Sequence, residues 1–407
     1  MYARSLRTRR RRPERTDMDP KDLSGRYAIV GVGEAGMGKA QPGDTALSLQ
    51  CEAARLAILD AGLKAADIDA VFAHWDDRAA GLLVTEYMGL DPRYVDSTVV
   101  GGQSNLTHIV HAMAAMEAGL CDVALITYGS TQRLDRSRSR GGHAQDARMP
   151  NGQFVLPYGM LSPIGFYAML ARLHMQRYGT RPQDLGEVAL AARRWAQLNP
   201  NAIARAPLTM EDYLASPLIA DPLRKLDICQ VTDSAGAIVL VRADRARDQR
   251  RPPVLVKGFA ERYIQHATPF GTDDWIDNGV LAEMGRLALA RAGLTRSDID
   301  VVQIYDAFTI NVLIGLEELG FCGRGESGAF VKSGRIAPGG AFPLNTSGGG
   351  LSFNHGGMFG MPLMIESVRQ LRGDCGERQV PGARNCLLQA GGLVMSAYMV
   401  MILGTER

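Results

Sequence analysis

Few of the residues that announce a chemistry at sight are arranged to do so in this 407-residue chain. Its six cysteines, Cys51, Cys121, Cys229, Cys322, Cys375 and Cys386, contain no CxxC and no paired zinc spacing. That excludes a zinc ribbon or a disulfide framework, and reads as reduced thiols in a cytoplasmic protein. No apolar run reaches the ~18 residues of a membrane span, and no apolar signal segment follows the basic N-terminus. Charge is nearly balanced at a formal +2 overall, yet residues 1–17 hold seven arginines against Glu14 and Asp17. The remainder is therefore slightly acidic, which argues against a nucleic-acid partner. Residues 1–24 are expected to be an Arg-rich disordered tail, or an over-early start with Met18 as the true first residue. Of the seven histidines, His108 and His111 stand at i and i+3 on a predicted helix, a metal-like spacing. No third ligand is evident, so no metal is expected.

What is present in force is repetition. Arg55–Val71 (RLAILDAGLKAADIDAV) recurs 231 positions later as Arg286–Val302 (RLALARAGLTRSDIDVV), with ten of seventeen positions identical. Each copy reads as an amphipathic helix stopped by Gly, an Asp-Ile-Asp turn, and a β-branched strand. The register sets His74 of the first copy opposite Tyr305 of the second, both at strand C-termini, where α/β folds keep their chemistry. A 46% apolar fraction supplies a large core, and 46 Gly and 18 Met indicate close backbone approaches and an adaptable interior.

Strands and helices alternate along the first half: Ala28–Gly33, the helix Asp44–Gly62, Ile68–His74, a helix near Ala79–Met88, Tyr94–Val100, the helix Ser104–Gly119 and Asp122–Tyr128. The second half repeats the order from Val254–Phe259 through Val301–Ala307 and a long helix near Met361–Leu371 to the strands Cys386–Gln389 and Ala397–Leu403. The expected division is residues 25–132 with 237–250 as one half, 133–236 as an insertion of loops and helices rather than a third sheet, and 251–407 as the other half. The helix Ser104–Gly119 should be apolar all round and buried between two sheets, with Ile109, Val110, Ala112, Met113, Ala114, Ala115 and Met116 carrying that character.

Five strings occur in an order that identifies more: DPLRKLDICQVTDSAGAIVL (221–240), YDAFT (305–309), LGFCGRGESGAFV (319–331), NTSGGGLSFNHGGMFG (345–360) and QLRGDCGERQVPGA (370–383). With the duplicated halves, they resemble the lipid-transfer-protein-like branch of the thiolase superfamily over nearly everything after residue 25. The resemblance implies an α/β, five-layered αβαβα fold of two pseudo-symmetric halves with a helical insertion.

Against that family the chain lacks both catalytic thiols. VVGGQSNLTHIV leaves Gly102 where the nucleophilic Cys would stand, and LLQAGGLV puts Gln389 at the second Cys position. Ser104 is the nearest hydroxyl, but it reads first as a cap of the following helix. His355, in SFNHGG, corresponds to the His that helps bind the thioester oxygen, and Tyr305 stands where an Asn would be. Gly102 and Gln389 are expected to leave space around these two. Thiolase-like proteins without the nucleophile resemble the steroid side-chain-cleaving acyl-CoA aldolases, which split a β-hydroxyacyl-CoA by retro-aldol reaction. Those use a Tyr pair, whereas this chain has Tyr305 with His355. The implied site comprises Tyr305, His355 and His74 as proton-transfer residues. Gly102, Ser104, Asn345, Gly350, Gln389, Gly391 and Gly392 contact the substrate or its coenzyme A portion, and the Gly391–Gly392 backbone holds the enolate oxygen.

No bound cofactor is implied; the coenzyme A thioester is the substrate. Two other classes of function are open at this point, a thiolase-fold acyltransferase using a partner's thiol and a non-catalytic lipid- or acyl-CoA-binding subunit. Loss of both thiols argues against the first, and joint retention of Tyr305 and His355 against the second. The resemblance further implies a homodimer paired along an edge strand such as Tyr94–Val100, and a separate OB-fold and zinc-ribbon subunit that completes the coenzyme A channel.

Overall fold

Each repeat copy places a small-residue helix so close to a strand that only glycine fits beneath it. A Cβ at Gly31 would lie 2.1 Å from the Ala57 carbonyl oxygen, and one at Gly258 would lie 2.2 Å from that of Ala288, the residue 231 positions after Ala57. The same contact is thus built twice, once in each half. The computed structural model describes residues 23–74, 79–136, 148, 152–153, 156–159, 162–246, 251–264, 274, 276–332, 334–392 and 394–405. The Arg-rich segment up to residue 22 lies outside them.

The first half runs β1 (Tyr27–Gly38), α1 (Ala46–Asp60), β2 (Ala70–His74), α2 (Ala80–Met88), β3 (Tyr94–Asp96), α3 (Ser104–Glu117) and β4 (Val123–Ser130). The insertion contributes α4 (Pro163–Tyr178), α5 (Pro182–Gln197), a short helix at Met210–Ala215 and a hairpin of β5 (Leu218–Ala220) and β6 (Leu223–Arg224). It is therefore helical with one small two-stranded sheet, which the sequence pattern did not indicate. Next come β7 (Asp233–Arg242), β8 (Val254–Tyr263), α6 (Val280–Ala292), β9 (Val301–Ile304), α7 (Thr309–Glu318), α8 (Gly360–Arg372), β10 (Asn385–Gly392) and β11 (Ala397–Gly404).

Rather than two separate sheets, the described strands form one nine-stranded sheet in the order β3-β2-β4-β7-β1-β8-β11-β10-β9. The seam is short, with Ala28 opposite Leu255 and Ile29 opposite Val254. Reading outward from it, β1-β7-β4-β2-β3 is matched by β8-β11-β10-β9 and then by a single parallel bridge from Val302 to Leu344, where the second half's counterpart of β3 would be. Three apolar cores follow from the alternation of side chains across these strands. Leu125 and Val239 face α1 in an outer core, while Val302, Val400 and Ile402 face α6 and α7 in another. Ile126, Ile238 and Leu388 face a middle core holding Ile109 and Met113 of α3 and Met361, Ile365 and Val368 of α8. Helices α3 and α8 are thus the central layer of the αβαβα arrangement.

Two expectations need correction. Strand β3 stops at Asp96 instead of continuing to Val100, because the Asp96 carboxylate accepts from both the backbone N–H and the hydroxyl of Thr98 (2.8 and 2.7 Å) and turns the chain. Helix α3 is not covered all round: Ala114 is exposed, and Val110 and His111 are half-buried.

Candidate active site

Position 102 is the centre of the site. The helix α3 begins two residues later, and its Ser104 hydroxyl donates to the Gly101 carbonyl (2.6 Å) while accepting from the Val100 N–H (2.9 Å). Ser104 therefore closes the turn that presents Gly102; it is the first residue of the helix and not its cap, which is Gln103 with no side-chain cap bond. A Cβ at Gly102 would lie 2.5 Å from the Tyr305 ring and 2.6 Å from the Gly391 carbonyl oxygen. The space expected to stand open at 102 is filled by the tyrosine.

Tyr305 follows the last residue of β9. Its backbone N–H donates to the Gln389 carbonyl (3.0 Å) and to the Gln389 side-chain oxygen (3.2 Å). Gln389 thus braces the Tyr305 backbone from the position of the second thiol. The phenol oxygen accepts the Phe359 N–H at 3.0 Å, at the N-terminus of α8. An N–H donor and the positive end of a helix dipole both favour negative charge on that oxygen.

His355 lies beside it, 1% exposed, its ring edge-on to Tyr305 at 5.7 Å and stacked on Phe359 at 5.7 Å. Residues contributed from the first half and its linker hold the His355 backbone. The His355 N–H donates to the Thr232 hydroxyl (2.9 Å), the Gln132 amide donates to the His355 carbonyl (2.7 Å), and the Tyr128 phenol donates to the Gly356 carbonyl (2.6 Å). Gly350 leaves the ring room, since a Cβ there would come within 3.1 Å of the imidazole.

The glycine run Gly348–Gly350 is organised by Asp306. Its carboxylate accepts from the Gly350 N–H (2.7 Å) and the Leu351 N–H (3.4 Å). Gly349 has φ 63°, and a Cβ there would sit 2.0 Å from the same carboxylate. Burial pushes the Asp306 carboxyl up to about 7, against those backbone donors. Asn345, expected at the substrate, spends its amide on Ile304, accepting the N–H (2.8 Å) and donating to the carbonyl (2.9 Å). It shapes the exit of β9 from within the wall. Gly391 and Gly392 end β10, paired with Tyr398 and Ala397 of β11. A Cβ at Gly392 would meet the Val100 carbonyl oxygen at 2.6 Å, so this strand end is pressed against the 100–102 turn.

His74, the repeat's counterpart of Tyr305, ends β2 as the register predicts. It is fully buried, packs on Tyr128 (4.8 Å) and has its Nε2 3.1 Å from the Asn105 amide nitrogen. Tyr128, Gln132, Thr232, Asp306 and Phe359 were not singled out from sequence. Tyr128 at a strand end and Asp306 beside Tyr305 carried a positional signal. The other three act through bonds or backbone that no local pattern reveals. No group of three His, Cys, Asp or Glu side chains positioned to hold a metal occurs among the described residues, and among them no helix is long and apolar enough to cross a membrane.

Residues 263–405 match the model of the thiolase C-terminal domain-like family. The chain is 36% identical to the 17-hydroxy-3-oxo-4-pregnene-20-carboxyl-CoA lyase of Mycobacterium tuberculosis, covering 93% of this chain and 100% of that protein. It is 35% identical to the steroid side-chain-cleaving aldolase of Thermomonospora curvata, covering 95% and 99% respectively. Among solved structures, an aldolase described as Ltp2-ChsH2(DUF35) superposes with a TM-score of 0.86 at 33% identity, over 95% of this chain and 99% of that one. With a tyrosine ring where a thiolase carries its nucleophile, and this likeness along nearly its whole length, the chain belongs to the thiolase superfamily, in the lipid-transfer-protein-like branch of the side-chain-cleaving aldolases.

Proposed function

We propose that this protein is an acyl-CoA aldolase, a lyase that splits the Cα–Cβ bond of a β-hydroxyacyl-CoA thioester carrying a bulky, steroid-like substituent. One observation carries the reading: the Tyr305 oxygen accepts the N–H at the head of α8 while its ring fills the place of the missing nucleophile. A phenolate so held takes the proton of the β-hydroxyl. The electrons of the O–H bond form the carbonyl of a ketone, the Cα–Cβ bond breaks, and its electrons pass to the thioester as an enolate. His355 and the backbone at Gly391–Gly392 stabilise the enolate oxygen. A proton returned to Cα completes the turnover with no redox change and no covalent intermediate, so neither thiol is needed. His74 acts at one remove, and Gly350 and Asn345 form the wall behind His355 and Tyr305.

The relatives support the substrate class, since their names specify a steroid carboxyl-CoA and a steroid side chain. The neighbour described with a DUF35 protein supports a separate OB-fold and zinc-ribbon subunit, and the open edge of β3 supports pairing with a second copy. The test is product analysis. The protein, with its partner subunit where one co-purifies, is incubated with a 17-hydroxy-steroid C20-carboxyl-CoA. Mass spectrometry should find the 17-ketone and the shortened acyl-CoA in equal amounts. Release of free coenzyme A with an acylated protein, or no ketone under any condition, overturns the reading.

A further inference from the structure

Four polar side chains that the cleavage step does not use form a line from the half-exposed flank of α3 to the head of α8. At the outer end, His111 Nδ1 is 2.7 Å from Asp96 Oδ2, with the His111 side chain 35% exposed. His108 follows one turn along, its ring centroid 6.3 Å from that of His111 and 5.4 Å from that of His74. His74 is in turn bonded to Asn105 at 3.1 Å. The Asn105 Oδ1 lies 3.7 Å from where a Cβ on Gly360 would be, and Gly360 adjoins Phe359, whose N–H meets the Tyr305 oxygen. His74, Asn105 and His108 are fully buried. Nδ1 of His74 and Oδ1 of Asn105 have no hydrogen-bond partner among the described residues, and His108 makes only a weak approach to the Thr98 carbonyl. Buried polar atoms of this kind are ordinarily satisfied by water, and single waters span ring separations of this size.

We propose that His111, His108 and His74 form a proton relay between solvent and the Tyr305 oxygen, with Asn105 orienting His74 and the water that completes the line. The inference rests on the aldolase reading and deepens it by assigning the route by which the phenol exchanges its proton. The groups facing the line fit that use. Asp96 and Glu261 face His111 and raise it, whereas burial and the adjacent imidazole lower His74. Burial takes His108 down to about 4, against the pull of Asp96 and alongside the repulsion of His111. The two inner rings are therefore neutral near pH 7, each with one N–H and one acceptor nitrogen, the state in which an imidazole passes a proton without storing it.

The relay is separable from bond cleavage. In cleavage Tyr305 returns to Cα the hydron it took from the β-hydroxyl, which in D2O is already deuterium, so that step needs no relay, whereas exchange of a Cα–H of added acyl-CoA product requires the phenol to lose to solvent the proton it has taken. In D2O the Tyr305 oxygen takes the Cα proton, the proton leaves along the relay, a deuteron returns, and the enolate takes it: one C–H bond is broken and one C–D bond formed. The experiment measures steroid cleavage and, separately, exchange of the Cα hydrogens of added acyl-CoA product in D2O without the steroid substrate, in the same preparations of wild type, His108→Leu and His111→Ala. The expected result is a fall of about tenfold or more in the exchange-to-cleavage ratio of both variants, within the range a positioned proton-transfer group supplies. A ratio unchanged in the folded His111→Ala variant, whose side chain is partly exposed, overturns the relay, as does a wild type that cleaves without exchanging. Absence of cleavage in the wild type would instead strike the aldolase reading.

Discussion

The Tyr305 ring lies 2.5 Å from where a Cβ on Gly102 would be, closer than real Cβ atoms approach a neighbour. The glycine and the tyrosine are therefore one structural unit: a thiolase nucleophile at 102 and a tyrosine at 305 exclude each other. Gly102→Cys should accordingly give no thiolase. It should displace the phenol from the Phe359 N–H, abolish cleavage, and cost about 1–3 kcal/mol from overpacking, read as a lowered midpoint in denaturant. Recovery of acetoacetyl-CoA thiolysis by this single change would contradict the exclusion.

Removing the phenol oxygen alone is the cleaner test of chemistry. Tyr305→Phe keeps the ring that fills the site and should keep the fold, while kcat for steroid cleavage falls by about 10²–10⁴. His355→Ala should lose ~3–4 kcal/mol of transition-state stabilisation, and the double variant should be less impaired than the product of the two, since both residues serve one bond-breaking step. Full activity in Tyr305→Phe would make the phenol structural.

The thiols should be bystanders. Burial pushes Cys51, Cys322 and Cys386 up to about 12 and Cys121 up to about 11, far from the thiolate that alkylation needs. Iodoacetamide at pH 7 should leave cleavage intact, with Cys386, closest in sequence to the Gly391–Gly392 turn, unmodified by peptide mapping. Rapid inactivation traced to one cysteine would refute this.

Tyr128 reaches across the halves to fix the loop that carries His355. Tyr128→Phe removes only the hydroxyl and leaves the Gly356 carbonyl buried without that donor, a cost of about 1–3 kcal/mol. Kinetically the loss should fall on kcat, because the imidazole remains present but less well held. A stability loss with kcat untouched would show that the loop needs no such tether.

Acid should destabilise the fold through His108. Its folded pKa is lowered to about 4 from an ordinary 6.5, so folding favours the neutral ring. The unfolded chain binds the proton first as pH drops, and stability present above pH 6.5 is lost between there and about 4. Asp306 acts oppositely: its pKa is raised to about 7 from 3.8, so its contribution is full at low pH and is lost as pH rises through 7. Denaturant titrations should find the acid loss reduced in His108→Gln and the decline towards neutral pH reduced in Asp306→Asn. Unchanged slopes in both would remove the two groups from the account.

Much of this was legible in the chain. The repeated Arg-Leu-Ala helix and Asp-Ile-Asp turn set the two halves and put His74 and Tyr305 at matching strand ends. Five ordered strings carry the thiolase frame, and the missing thiols leave Tyr305 and His355 as the groups able to move a proton. What escaped the reading depends on distance in space. That Tyr305 occupies the volume at Gly102 is a contact between residues some two hundred positions apart, invisible to any window. The shortening of β3 turns on one Asp96 side chain choosing Thr98 over the ladder. Asn345 could be placed near the site but not assigned to Ile304, since an amide's partners are set by the surrounding backbone. The single sheet likewise rests on two residue pairs between Ala28–Ile29 and Val254–Leu255, too few to leave a pattern.

That brief seam has a consequence for how such a protein can change. Tyr305 and His355 belong to the second copy, yet Tyr128, Gln132 and Thr232, from the first half and its linker, hold His355 in place. The candidate site is thus completed by neither duplicate alone, and a loop exchanged wholesale from another homologue into one copy would arrive without its moorings in the other. Change in either copy is thereby constrained by its twin, so the repeat locks the site as well as framing it.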